Sequence, residues 1–295
     1  MSKKLILKAS VAALLGTALA TTAQADDHAS VTFSGVVGAH LYLSDTTVDV
    51  PAGSADEETG EPLAGAGEEA GARLTSGDVR FNIAAEDTLG AITAFANYRI
   101  DADGISGSPI TSDATKLGIK GGFGTLSFLD VGPAMEMAQV VDDIHDIADG
   151  IPDGIRYDGS FGPVSLGLSF SPENNSDVVS AGVSFSIGGL GLALGADDQD
   201  AAMVGATYDL GSVALGLQVG ERDEAGITAA EVSTSFGVWG LNLTHSTMED
   251  VNSVTRVTLS APITEKLEWA ARVQSTSPEE GDSFGFVRTS LTYNF

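Results

Sequence analysis

The sequence predicts an all-β fold: a transmembrane antiparallel β-barrel, with sixteen as the best count of strands. Three observations point there. Apolar and polar residues alternate with period two from Val31 to the end of the chain. Turn residues interrupt the alternation at short intervals, tightly at one end of the strands and at greater length at the other. The Arg and Lys residues within the strands all fall on the face opposite the large apolar side chains.

The clearest strands are Val31–Leu43, Val79–Ala85, Ile92–Asp101, Val164–Phe170, Val179–Ile187, Val213–Val219, Lys266–Ser275 and Phe284–Phe295. Weaker ones are Lys116–Lys120, Thr125–Asp130, Ile155–Asp158, Leu190–Ala196, Ala202–Tyr208, Ala230–Phe236, Trp239–Thr247 and Thr255–Ala261. Fourteen or eighteen strands would also suit the length, because about 270 residues remain after an N-terminal leader.

Tight connections centre on Leu89-Gly90, Phe123-Gly124, Phe161-Gly162, Gly188-Gly189, Leu210-Gly211 and Phe236-Gly237, with Pro262-Ile263-Thr264 in the seventh place. Between them come longer polar stretches: Asp45–Gly71, Ala102–Ala114, Gly132–Gly154, Ser171–Asp177, Asp197–Asp200, Glu221–Gly226, Glu249–Asn252 and Thr276–Asp282. Short turns at one end and longer loops at the other is the plan of an outer-membrane barrel.

A soluble sheet could alternate in the same way, so the character of the two faces decides. Fixing the outward face by apolar residues such as Val79/Phe81/Ile83 or Leu267/Trp269/Ala271/Val273 places Arg80, Arg99, Lys116, Lys120, Arg156, Arg256, Lys266, Arg272 and Arg288 on the other face. In lipid this separation has force, since Arg or Lys at mid-membrane costs ~2–4 kcal/mol. Rows such as Ser165/Gly167/Ser169, Ser180/Gly182/Ser184 and Ala214/Gly216/Gln218 are too small and polar to fill a core. The sheet reads inside out. Phe123, Phe161, Phe185, Tyr208, Phe236, Trp239, Tyr293 and Phe295 gather beside the tight turns, and Tyr42, Tyr98 and Phe170 at the loop ends. Such rings suit two membrane interfaces.

The first 25 residues differ from the rest. Lys3, Lys4 and Lys8 precede an uncharged run, Ala9 to Ala20, and an Ala23-Gln24-Ala25 cleavage pattern. This is the order of a secretory signal peptide, and the apolar run is too short to span a bilayer. The mature domain is therefore expected at 26–295. It carries 41 acids against 11 bases, a net charge of −30, which argues against nucleic-acid binding. There is no cysteine, so no disulfide supports the exported fold. After the leader there is no apolar run long enough for a transmembrane helix.

On Leu117-Gly118-Ile119-Lys120-Gly121-Gly122-Phe123-Gly124-Thr125-Leu126, Gly154-Ile155-Arg156-Tyr157-Asp158 and Leu291-Thr292-Tyr293-Asn294-Phe295, the chain resembles the general-diffusion porins of Gram-negative bacteria, alphaproteobacterial ones above all. The resemblance covers the mature chain. It implies a homotrimeric outer-membrane barrel with a third loop folded inward, narrowing a water-filled channel for small polar solutes and ions. It also implies that Tyr293 and Phe295 form the signal read by the barrel-assembly machinery.

The third long loop is amphipathic. Met135, Met137, Val140, Val141, Ile144 and Ile147 interleave with Glu136, Asp142, Asp143, Asp146, Asp149 and Asp153. Tucked into the lumen, Glu136, Asp142, Asp143, Asp146 and Asp149 would form the acidic side of a constriction. Arg80, Arg99, Lys116, Lys120, Arg256, Arg272 and Arg288 would form the basic wall. The field between them would orient polar solutes, and the net charge predicts weak cation selectivity. A solvated surface loop is the plainer reading, but it would expose six apolar side chains.

No cofactor is expected. The acids at Asp142/Asp143/Asp146 and Asp197-Asp198-Gln199-Asp200 lack EF-hand spacing. They are compatible at most with weak divalent-cation binding shared with lipopolysaccharide phosphates at the outer rim. An enzyme reading finds little support among His28, His40, His145 and His245, since only His40 points inward from a strand. A plugged structural or adhesive barrel would call for longer and richer loops than most of these.

Overall fold

The computed structural model describes residues 29–44, 71–102, 110–141, 154–172, 177–222, 225–279 and 283–295. The leader expected at 1–25, most of the first loop, and Asp142, Asp143, Asp146, Asp149, His28 and His145 lie outside the described residues.

The strands are β1 (Ala29–Ser44), β2 (Gly71–Leu89), β3 (Ile92–Ala102), β4 (Ile110–Gly121), β5 (Gly124–Leu129), β6 (Gly154–Phe161), β7 (Val164–Ser171) and β8 (Val178–Ile187). They continue with β9 (Leu190–Asp197), β10 (Ala202–Asp209), β11 (Val213–Arg222), β12 (Ala225–Phe236), β13 (Trp239–Met248), β14 (Asn252–Pro262), β15 (Leu267–Pro278) and β16 (Phe284–Asn294). Each pairs antiparallel with its sequence neighbours, and β1 pairs with β16 to close the barrel. The count is sixteen, and closure leaves no unpaired sheet edge.

Several strands reach further toward the loops than the apolar pattern indicates. Strand β2 begins at Gly71 rather than Val79, and β4 at Ile110 rather than Lys116. Each contains a register shift: Val37 pairs with Val79 but Ala39 with Ser76, and Arg99 pairs with Ala114 but Ile100 with Ser112. One extra residue inverts the alternation, so the segment beyond it stops matching the pattern that identified the strand. Lys266 is a smaller correction. It lies in the turn before β15 rather than in the strand, because Leu267 opens the ladder by pairing with Tyr293.

The tight turns fall where the sequence places them. Gly90 and Gly237 adopt φ of 64° and 63°, left-handed values that a Cβ would penalise in a two-residue hairpin. The outward face is apolar and uncovered in the isolated chain: Leu168, Leu192, Leu194, Leu217 and Val219 are all exposed. The inward face buries Ser169, Ser180, Thr244 and Ser246. This inversion of a soluble protein is what a lipid-covered barrel requires.

Two aromatic contacts lie on the outward face. Trp239 and Trp269 meet edge to face at 5.9 Å and 89°. Ala261, which pairs with Trp269, leaves room for them to touch across β14. Phe295 continues the closing seam by exchanging backbone hydrogen bonds with Gly35 (3.1 and 3.2 Å), and its ring packs on Phe81 at 5.5 Å.

Candidate functional site

After β5 the chain turns into the barrel. Leu129 and Gly132 take left-handed φ of 72° and 62°, redirecting the backbone, and residues 134–138 form a short 3₁₀ helix. Met135 and Ala138 are fully buried and pack on Ala193, Ala201, Met203 and Ile227. The hydrophobic core of this molecule therefore lies inside the barrel, between the loop and one side of the wall.

The loop's backbone donors, which have no strand partner, are met by wall side chains. Ala134 N–H donates to Ser169 Oγ (2.9 Å) and Met135 N–H to Ser180 Oγ (2.8 Å). The N–H groups of Val140 and Val141 both donate to Gln218 Oε1, at 3.0 and 3.4 Å. The small polar rows on β7, β8 and β11 are thus the dock for the third loop. This accounts for side chains too small to fill a core.

Arg156 on β6 secures the loop's root. Its Nη1 donates to the carbonyls of Val131 (3.3 Å) and Pro133 (3.1 Å) and to Glu136 Oε2 (3.1 Å). Its Nε donates to both oxygens of Asp158, at 3.0 and 3.1 Å. Burial pushes the Glu136 carboxyl above its ordinary pKa, and Asp130 adds to the rise. The charges of Arg156 and Lys116 oppose it. Glu136 is therefore part of the loop's anchorage, in contact with its own side of the wall.

Of the predicted basic residues, Arg80, Arg99, Lys116, Lys120, Arg256, Arg272 and Arg288 all take the inward register. They form one stripe, because closure through β1 joins β14–β16 to β2–β4. The described part of the loop docks on β7–β11, across the lumen from that stripe. Arg272 and Arg288 pair directly in register, and Arg256 Nε donates to Gln274 Oε1 at 3.1 Å.

The stripe also contains acids that the sequence reading passed over. Asp101 bridges Arg80 (3.3 Å) and Arg99 (3.4 Å), and Glu86 pairs with Lys120 at 2.6 Å. Asp101, Glu86 and Asp158 could have been found by testing the inward phase for acids as well as bases. Phe95 was missed too. It faces inward, with Lys120 Nζ 6.0 Å from its ring centroid. Asp197 and Asp198 accept hydrogen bonds from the backbone N–H groups of Gln199, Ala201 and Val179, which gives them a turn-building role. His40 is buried on the inward side, and His245 is exposed on the outward side with Nδ1 2.9 Å from Thr255 Oγ1.

The Gram-negative porin family matches residues 9–283, nearly the whole chain. The chain belongs to that family. Solved porin structures share its fold. A double mutant of the Rhodopseudomonas blastica porin superposes with a TM-score of 0.70 at 15% identity, covering 90% of this chain and 100% of that one. A triple mutant of the same porin gives 0.68 at 15%, and a further double mutant 0.69 at 16%, each with the same coverage. A comparison with curated protein sequences finds no match. As a porin, the chain forms an outer-membrane channel through which small solutes and ions pass.

Proposed function

We propose that this porin is a general-diffusion channel with weak cation preference, narrowed where the third loop leans into the lumen. The observation that carries the reading is the loop's tethering to the inner wall through Ser169, Ser180 and Gln218. Glu136, Asp142, Asp143, Asp146 and Asp149 supply its acidic side, and Arg80, Arg99, Lys116, Lys120, Arg256, Arg272 and Arg288 its basic side. A net charge of −30 on residues 26–295 favours cations. The interleaved Asp101 and Glu86 reduce the opposing basic field, which supports the same sign of selectivity.

The rest of the reading follows from export and assembly. Residues 1–25 act as a signal peptide, and the chain assembles as a homotrimer without enzymatic activity. Tyr293 and Phe295 address the barrel-assembly machinery, and the outer rim contacts lipopolysaccharide, with any divalent cation weakly held there. The deciding experiment is a planar-bilayer recording in a KCl gradient. The expected zero-current potential has the sign of a cation-preferring pore and shrinks at high salt, as the screening length falls from ~10 Å at 0.1 M to ~3 Å at 1 M. Anion preference would remove the constriction assignment. A silent bilayer would favour a plugged barrel.

A further inference from the structure

Four successive strands each present a glycine to the docked loop: Gly167 on β7, Gly182 on β8, Gly195 on β9 and Gly205 on β10. Gly167, Gly182 and Gly195 stand opposite one another in register. Gly205 pairs with Ala193, one inward position along, so the set steps sideways with the loop's path. None of the four has a left-handed backbone, so their conformation would tolerate a side chain. What forbids one is space.

A Cβ on Gly182 would collide with the carbonyl oxygen of Ala134, and one on Gly195 with that of Met135, whose Cα would lie at 2.8 Å. On Gly205 it would strike the carbonyl oxygen of Ala138 and stand 2.8 Å from both methyls of Val140. On Gly167 it would meet Met137 Sδ at 2.6 Å. For three of the four the obstacle includes loop backbone, which cannot rotate aside as a side chain can.

We propose that Gly167, Gly182, Gly195 and Gly205 set the bore of the pore. They let the loop lie closer to the wall than any other residue would allow, and so fix the largest solute that passes. This rests on the reading of the loop as the constriction. The wall is a closed hydrogen-bonded ladder, whereas the loop is held by a few side-chain tethers. An added Cβ would therefore move the loop, by about 1 Å, to restore an ordinary carbon–oxygen contact of ~3.3 Å. The only free direction is toward the pore axis.

The test compares Gly182→Ala, Gly195→Ala, Gly205→Ala and Gly195→Val with wild type. The readouts are single-channel conductance and liposome swelling with neutral polyols of graded size. Each substitution should lower conductance and exclude the largest polyols that wild type admits, valine more than alanine. Gly240→Ala is the control: it faces inward on β13, its Cβ meets only Ser260 Oγ at 3.2 Å, and it should change neither readout. Ser169→Ala combined with Ser180→Ala loosens the loop without adding bulk, and should make the current noisier with no loss of large-polyol entry. Folding is checked by the shift in gel mobility on boiling. Wild-type conductance and cutoff in the folded alanine variants would overturn the proposal. If the glycine variants fail to fold, a quiet, unchanged Ser169/Ser180 variant would overturn it as well. A wild-type channel with no size cutoff would instead remove the constriction reading itself.

Discussion

Replacing Arg156 by alanine should free the root of the third loop while leaving the barrel closed. The guanidinium joins the carbonyls of Val131 and Pro133 and the carboxylates of Glu136 and Asp158, and its side chain is only 13% exposed. Hydrogen bonds to a charged group contribute ~1.5–3 kcal/mol each when well buried. The Glu136 carboxylate is 42% exposed, so that pair belongs near ~1 kcal/mol. The two carbonyls can turn partly to lumen water, and contributions of this kind do not add. A loss of about 3 kcal/mol in loop docking is the reasonable sum, equivalent to a ~100-fold rise in the undocked population. The strand ladder is spared, since backbone pairing of Arg156 with Ser127 and Ser169 does not involve its side chain. Single-channel recordings of R156A should show excess noise and sublevels, and protease should cut the loop faster. Arg156→Lys should fall between, because an ammonium cannot span two carboxylates and two carbonyls as a planar fork does. A variant as quiet, conductive and protease-resistant as wild type would refute the anchoring argument.

Three further outcomes are expected. Burial raises the Glu136 pKa, so the folded loop holds this proton at pH values where the unfolded chain has lost it. The cost of its charge is fully present above the raised pKa and disappears as pH falls through it. Cation preference should therefore begin to fall above the ordinary glutamate value (~4.3) without loosening of the loop, and zero-current potentials should lose that early phase in Glu136→Gln. Neutralising Asp142, Asp143 and Asp146 together should weaken cation preference. Neutralising Arg80 and Arg99 should strengthen it and widen the pore, and unchanged potentials in both would sink the transverse-field assignment. Deleting Phe295 removes its ladder to Gly35 and its contact with Phe81. Export should continue while heat-modifiable protein in the outer membrane declines, and wild-type levels would count against an assembly signal.

The strands were legible because lipid imposes one rule on every outward residue, and a period-two pattern records it locally. Legibility failed where that rule lapses. The loop-side halves of β2 and β4 lie beyond bulges that reverse the phase, so Leu74 and Ser76 do not continue the series of Val79 and Phe81. The loop's amphipathic character was readable, but its seat was not. Ala134 reaches a serine 35 residues away and Val140 a glutamine 78 residues away, distances over which no local pattern reports. The glycine and serine rows were visible as too small for a core, yet only the docked loop gives them a purpose. The alternation puts Arg156 on the correct face but gives it no role, because two of its partners are the backbone carbonyls of Val131 and Pro133, and a sequence gives no sign of where carbonyls point.

The pairing of Trp239 with Trp269 has a practical consequence. These are the only two tryptophans in the chain, and both sit at one spot on the lipid side of the tight-turn end. All indole emission from the assembled protein thus originates in a single patch at one bilayer interface, on strands far in sequence from the third loop. Brominated lipids labelled at different depths would quench that emission according to where the patch sits, and perpendicular indoles in contact should leave a coupled signature in near-ultraviolet dichroism. The molecule carries an intrinsic optical depth gauge for insertion, silent to events at the constriction and needing no engineered label.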